Sequence, residues 1–110
     1  MNQIHALFGA TTDNLEEVRR AVETALCCAL EERESTYHGG TYYRTELATK
    51  ETIVVKRNAD PFDGEPVERG FPQFPVLVYV DNTPRFVDLQ KAFAGIKPAL
   101  SLLRSRPARR

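Results

Sequence analysis

The residues with chemistry to offer in this chain are two histidines, two adjacent cysteines and one run of carboxylates. His38, with Glu34 and Arg44 close in sequence, could form an acid–base pair with an anion clamp, the equipment of a small nuclease. The plainer reading of His38 is an exposed loop histidine. His5 lies in a short apolar run with no evident carboxylate or metal partner, and reads as structural. Cys27 and Cys28 are consecutive on an expected helix, where neighbouring side chains point about 100° apart, so a bridge between them is disfavoured. They read as two reduced thiols. With no Cys or His partners at ligand spacing, a zinc site is not expected.

The carboxylates Asp60, Asp63, Glu65 and Glu68 follow one another with no basic residue among them. A calcium loop would need ligands at alternating positions, Gly at the sixth and Glu at the twelfth, and the prolines here break that register. Neither a metal nor any other cofactor is expected. Phe62, Phe71 and Phe74 are interleaved with the acids. Aromatic side chains flanked by charge are common anchors of protein interfaces, so this segment reads either as a solvated acidic loop or as a recognition surface for a basic partner. Tyr37, His38 and Tyr42, around the Gly39–Gly40 pair, join it as candidate partner-binding residues, although the plainer reading of the tyrosines is cross-strand packing. A Gly-rich phosphate loop, a Ser or Cys nucleophile motif and a paired His–Glu metal helix are lacking.

Length and charge bound these readings. At 110 residues the chain is expected to be one domain, residues 1–104, with a basic tail over 105–110. A hydrophobic share of 42% and a charged share of 27% suit a globular protein. The apolar runs are far short of the ~20 residues of a membrane span, and a secretory signal is not evident at the N-terminus. The formal net charge is zero but unevenly spread: residues 1–68 hold 13 acidic and 7 basic groups, residues 69–110 hold 2 and 8. An acidic body with a basic end results. Direct nucleic-acid binding is not expected, because no basic sheet with interleaved aromatics is present.

The elements that would position these residues follow from periodicity. Ile4–Phe8 reads as a strand. Asp13 to Glu16 matches a capping box, and Leu15, Val18, Val22, Ala25, Leu26 and Ala29 recur at helical spacing, predicting a helix over Asn14–Glu31. From Glu34 to Asn58, three runs rich in Thr, Tyr, Val and Ile predict an antiparallel meander, its first turn a two-residue one at Gly39–Gly40. Four prolines and two glycines make Asn58–Pro75 irregular. Pro75–Val80 reads as a central strand buried on both faces. Helical phase then runs from Leu89 to Leu103 across Pro98, predicting a kinked helix or two short ones, with Asp88 as the N-cap. The expected fold class is α+β: a largely antiparallel sheet of about five strands, in the order β-α-β-β-β-β-α, with two helices packed on it.

The run from Glu32 through Tyr37-His-Gly-Gly-Thr-Tyr-Tyr to Arg44, then Ile53–Asn58, then Phe71-Pro-Gln-Phe-Pro-Val-Leu-Val-Tyr-Val80 resembles a family of small bacterial proteins. They are the immunity proteins of contact-dependent growth inhibition and related polymorphic toxin systems. The similar stretch covers about two-thirds of the chain, and its motif is structural. The resemblance implies a cytoplasmic, non-enzymatic protein that binds one cognate toxin domain, often a nuclease, and occludes its active site. Nucleases hold phosphate backbones and are usually basic, which suits an acidic inhibitor. A monomer forming a 1:1 toxin complex, away from membranes, is the corresponding expectation. Two other readings stay open: a small nuclease using His38 and Arg44, and a homodimeric secretion-chaperone-like adaptor.

Overall fold

The computed structural model describes residues 3–35, 40–60 and 62–108. Eight elements follow one another: β1 (Ile4–Ala10), α1 (Leu15–Leu26), β2 (Glu31–Ser35), β3 (Gly40–Glu46), β4 (Thr52–Arg57), β5 (Val76–Thr83), α2 (Phe86–Ala94) and β6 (Ser101–Pro107). The strands form one antiparallel six-stranded sheet in the order β2-β3-β4-β5-β1-β6. The fold class is therefore α+β with two helices, as the sequence predicts, and with one strand more.

Strand alternation sends one set of side chains to the helical face. Ala6, Phe8 and Ala10 of β1, Tyr43 of β3, Ile53 and Val55 of β4, and Val76, Val78 and Val80 of β5 meet Leu15, Val18 and Val22 of α1 and Leu89 and Phe93 of α2 in a single core. The Phe8 and Phe93 rings pack edge to face, 4.8 Å between centroids. Helix α1 is pinned further by Tyr43, whose hydroxyl donates to Glu16 at 2.8 Å while the Arg19 guanidinium stands over its ring.

Helix α1 differs from expectation at both ends. The N-cap is Asn14, whose side chain accepts the Glu17 amide at 3.0 Å, so the expected Asp13 box is displaced by one residue. The helix stops at Leu26, because Cys27 adopts the left-handed conformation (φ 52°) and the Glu23 carboxylate accepts the Leu30 amide at 2.7 Å. Glu31 therefore begins β2. Apolar phase continues through Leu26 and Leu30, so spacing alone gave no stop. The cysteines lie at the end of the helix, not in its middle. Burial, then the nearby Glu23 carboxylate, pushes the Cys28 thiol up, away from thiolate chemistry.

The first hairpin is longer than a two-residue turn. Glu34 pairs with Thr41 and Ser35 with Gly40, so four residues, 36–39, connect the strands. Tyr37 and His38 fall in that connection and lie outside the described residues.

After α2 the expected second helical stretch is absent. Helix α2 starts at Phe86, with Asp88 inside its first turn instead of capping it, and ends at Ala94 before Gly95. Pro98 lacks the amide a helix would need, and its peptide bond with Lys97 is cis. Leu100 then turns into the core, and Ser101–Pro107, spanning the end of the expected helical stretch and residues 105–107 of the expected basic tail, forms edge strand β6, paired with β1 from Gly9–Ser101 to Ile4–Pro107. An edge strand that is exposed on most of its length carries no apolar alternation, and its arginines resemble those of a loose tail.

The sheet face away from the helices is also covered, and by the segment read as irregular. Asn58, itself buried, organises it: its amide nitrogen donates to the carbonyls of Phe71 and Phe74, both at 3.0 Å, and its side-chain oxygen accepts the Glu68 amide at 2.9 Å. Phe74 lies on Gly9, where a Cβ would come within 2.7 Å of the phenyl ring. Leu77 is thereby fully buried on the face opposite Val76 and Val78. Replacing Asn58 by Ala strips three hydrogen bonds from backbone groups, and is expected to cost about 2 kcal/mol in urea unfolding. Amide exchange over 66–75 should quicken more than that of the helices.

Candidate functional site

The connection between β4 and β5 divides into two halves of opposite character. Its first half is a closed turn facing water. The Asp60 amide donates to the Glu65 carbonyl at 2.7 Å, and the Gly64 amide returns to the Asp60 carbonyl at 2.9 Å. Gly64, at φ 75°, supplies the left-handed residue this closure needs. The Asp60 carboxylate accepts the Phe62 amide and the Asp63 carboxylate accepts the Glu65 amide, at 2.8 and 2.9 Å. Each aspartate holds the backbone with one oxygen and keeps its charge at the surface. Among the described residues, Asp60, Asp63 and Glu65 have no ion-pair partner. Phe62 sits among them 85% exposed, an apolar ring on an ordered acidic turn.

Register places more acid at the same end of the sheet. Ala10, Val76 and Arg57 stand level across β1, β5 and β4, and the Tyr43–Val55 pair extends that line to Thr41, whose partner is Glu34. The α1 entry with Asp13, the β2–β3 connection beside Glu34 and the turn from Asp60 to Glu65 thus leave the sheet at one end. Asp13, Glu34, Asp63 and Glu65 are exposed there.

The second half is committed to the protein itself. Glu68 turns inward to a bidentate contact with Arg104 (3.1 and 3.2 Å) and accepts the Tyr79 hydroxyl at 2.5 Å. Burial acts to raise its carboxyl, but the Arg104 and Tyr79 hydrogen bonds together outweigh it and hold the group below the usual range. Burial first, then the bond to Glu68, drives the Tyr79 phenol far up. Lys56, buried beside them with its ammonium 5.9 Å from the centre of the Tyr79 ring, is lowered by burial. Of the residues read from sequence as partner-binding, Glu68 is therefore an internal strut, Phe74 packs on Gly9, Phe71 is half-buried, and Tyr42 is only 9% exposed. Asp60, Phe62, Asp63 and Glu65 remain together at the surface.

The sign of the Glu68 shift gives a test. A depressed folded-state pKa means its contribution is complete above the unfolded value, about 4.3, and is lost as pH falls through the lower folded value. Urea midpoints of the native chain and of Glu68→Gln should differ most at neutral pH and converge in acid.

Sequence reasoning missed a second polar cluster, on the same sheet face as the inward-facing half of the connection, residues 66–75 (the strap), but at the other end of the strands. Nδ1 of His5 lies 3.1 Å from the Asp81 carboxylate and 3.3 Å from the Asn82 amide. Arg104 and Arg106 stand opposite Leu7 and His5 on β6, and Tyr79 is opposite Leu7 on β5. These groups border a recess of about 160 Å³. Asp81 is 76 positions from His5 in the chain, so no local spacing could announce the pair. For the nuclease reading, Arg44 is instead directed to Glu46 at 3.6 Å. Among the described residues, no group of three or more His, Cys, Asp or Glu could hold a metal ion.

The fold and this surface define a small antiparallel α+β protein with an acidic turn carrying one exposed aromatic ring. No family model, curated protein or solved structure matches the chain. Among the described residues, no helix is long and apolar enough to cross a membrane.

Proposed function

We propose that this chain is a non-catalytic, cytoplasmic immunity protein that neutralises a cognate basic toxin domain, a nuclease, by covering its active site. The observation that carries the reading is the turn from Asp60 to Glu65: three carboxylates with no ion pair to another described residue flank in sequence a phenyl ring that is left in water. Fixed acids draw a basic cleft in and orient it, and an exposed aromatic ring whose backbone amide is tied to Asp60 anchors it. The resemblance of the Glu32–Arg44 and Phe71–Val80 stretches to immunity proteins supports the same assignment. The adjoining strap gives the turn a rigid base, as a preorganised binding surface requires.

Co-expression tests the proposal. The reading predicts a large secreted protein encoded next to this chain, and the probe is the C-terminal domain of that protein, produced in a host that the domain alone arrests. Growth restored by the native chain, with a 1:1 complex in gel filtration, is the expected result. Arrest undiminished by the folded chain would reject the assignment.

A further inference from the structure

The recess around His5 is built by two irregularities in the sheet. Between β1 and β5 the register shifts between Ile4–Thr83 and Ala6–Val80, leaving Asp81 and Asn82 together opposite His5. Asn82 takes φ 56°, a conformation asparagine tolerates better than most residues. Between β1 and β6 the register shifts again between Leu7–Arg104 and Phe8–Leu102, and Leu103 is the extra residue. Bulges re-aim side chains, and these two flank the same short stretch of β1. As a result Arg104 and Arg106 stand across from Leu7 and His5 on one face, with Tyr79 and Asp81 on the other side of β1.

The charges there are not all matched. Arg104 is neutralised by Glu68, and Asp81 lies against His5. Arg106 makes no ion pair with another described residue, and Nε2 of His5 makes no hydrogen bond with one. Nδ1 has two alternative roles: unprotonated it accepts the Asn82 amide, and protonated it donates to Asp81. The first arrangement leaves the proton of the neutral ring on Nε2, free to donate to a ligand in the recess that Arg106 also lines. Beneath it lies the buried Leu7 side chain. The volume of about 160 Å³ equals the liquid share of about five water molecules, enough for a small tetrahedral anion.

We propose that this recess binds a phosphoryl group, as inorganic phosphate or a phosphate monoester, between Arg106 and the imidazole of His5. The Asn82 amide, by donating to Nδ1, keeps the ring proton on Nε2, and Asp81 lies against the same edge of the ring. Arg104 shapes the wall while remaining bound to Glu68. The site lies away from the acidic turn and is independent of the toxin-binding assignment.

The probe is inorganic phosphate, titrated into the ¹⁵N-labelled full chain and followed by amide shifts, with acetate at matched ionic strength as a second arm. Saturable shifts at His5, Leu7, Tyr79 and Arg106 in the millimolar range are expected, with a clearly weaker response to acetate. Arg106→Gln lies on an exposed edge strand and should weaken phosphate binding about tenfold by removing a charge-assisted bond. His5→Gln should weaken it less, and Asp60→Asn should leave it unchanged. Non-saturating shifts, an equal response to acetate, or full binding by a folded Arg106→Gln chain would overturn the proposal.

Discussion

Reversing the charges of Asp60, Asp63 and Glu65 to lysine should slow association with the proposed basic toxin domain about 100-fold at low ionic strength. Three acids become three bases on one short turn, so attraction to a cationic cleft turns to repulsion. The salt dependence should invert with it, since added salt then screens a repulsion where it had screened an attraction. Two of these side chains also close the turn through the Phe62 and Glu65 amides. Asp60→Asn with Asp63→Asn keeps an oxygen at each of those positions and is the control for turn geometry. That pair should slow association by only about tenfold and leave the salt slope intermediate. Stopped-flow association rates at several salt concentrations separate the outcomes.

Arg85→Ala should destabilise the fold by about 3–5 kcal/mol, the largest effect expected of one substitution outside the apolar core. Glu51 is 1% exposed, and both of its carboxylate oxygens take hydrogen bonds from Arg85, at 2.7 and 3.2 Å. The pair ties the β3–β4 connection, where the Leu47 amide donates to the Glu51 carbonyl, to the first turn of α2. Removing the guanidinium leaves a buried charge with no counter-ion. The double change Glu51→Gln with Arg85→Met removes both charges and should recover much of the loss, since a buried ion pair adds little over well-packed neutral groups. Chemical denaturation of the three proteins forms the cycle. A loss below about 1 kcal/mol for Arg85→Ala would mean that Glu51 finds water or another donor.

What was legible in the sequence depended on periodicity within a single element. Leu15, Val18 and Val22 mark α1, and Ile53 and Val55 mark β4, because each face repeats its own chemistry. The apolar run Val76–Val80 announced a central strand for the same reason. Strand β6 was not legible, because an exposed edge with arginines on it has the composition of a solvated tail. The strap was not legible either: Asn58 acts on Phe71 and Phe74, and Glu68 on Arg104, through contacts distant in sequence. Those contacts decided which of the aromatic and acidic residues stay outside. The His5–Asp81 pair depends on a bulge, and a bulge has no signature in the composition of either strand.

Backbone hydrogen exchange of the native chain, alone and saturated with the toxin domain, tests the central claim most directly. Binding through the acidic turn predicts slowed exchange at 62–65 and at the neighbouring start of α1, with β6 and α2 unchanged. Protection confined to β6 or α2, with the 62–65 amides exchanging as in the free chain, would contradict it.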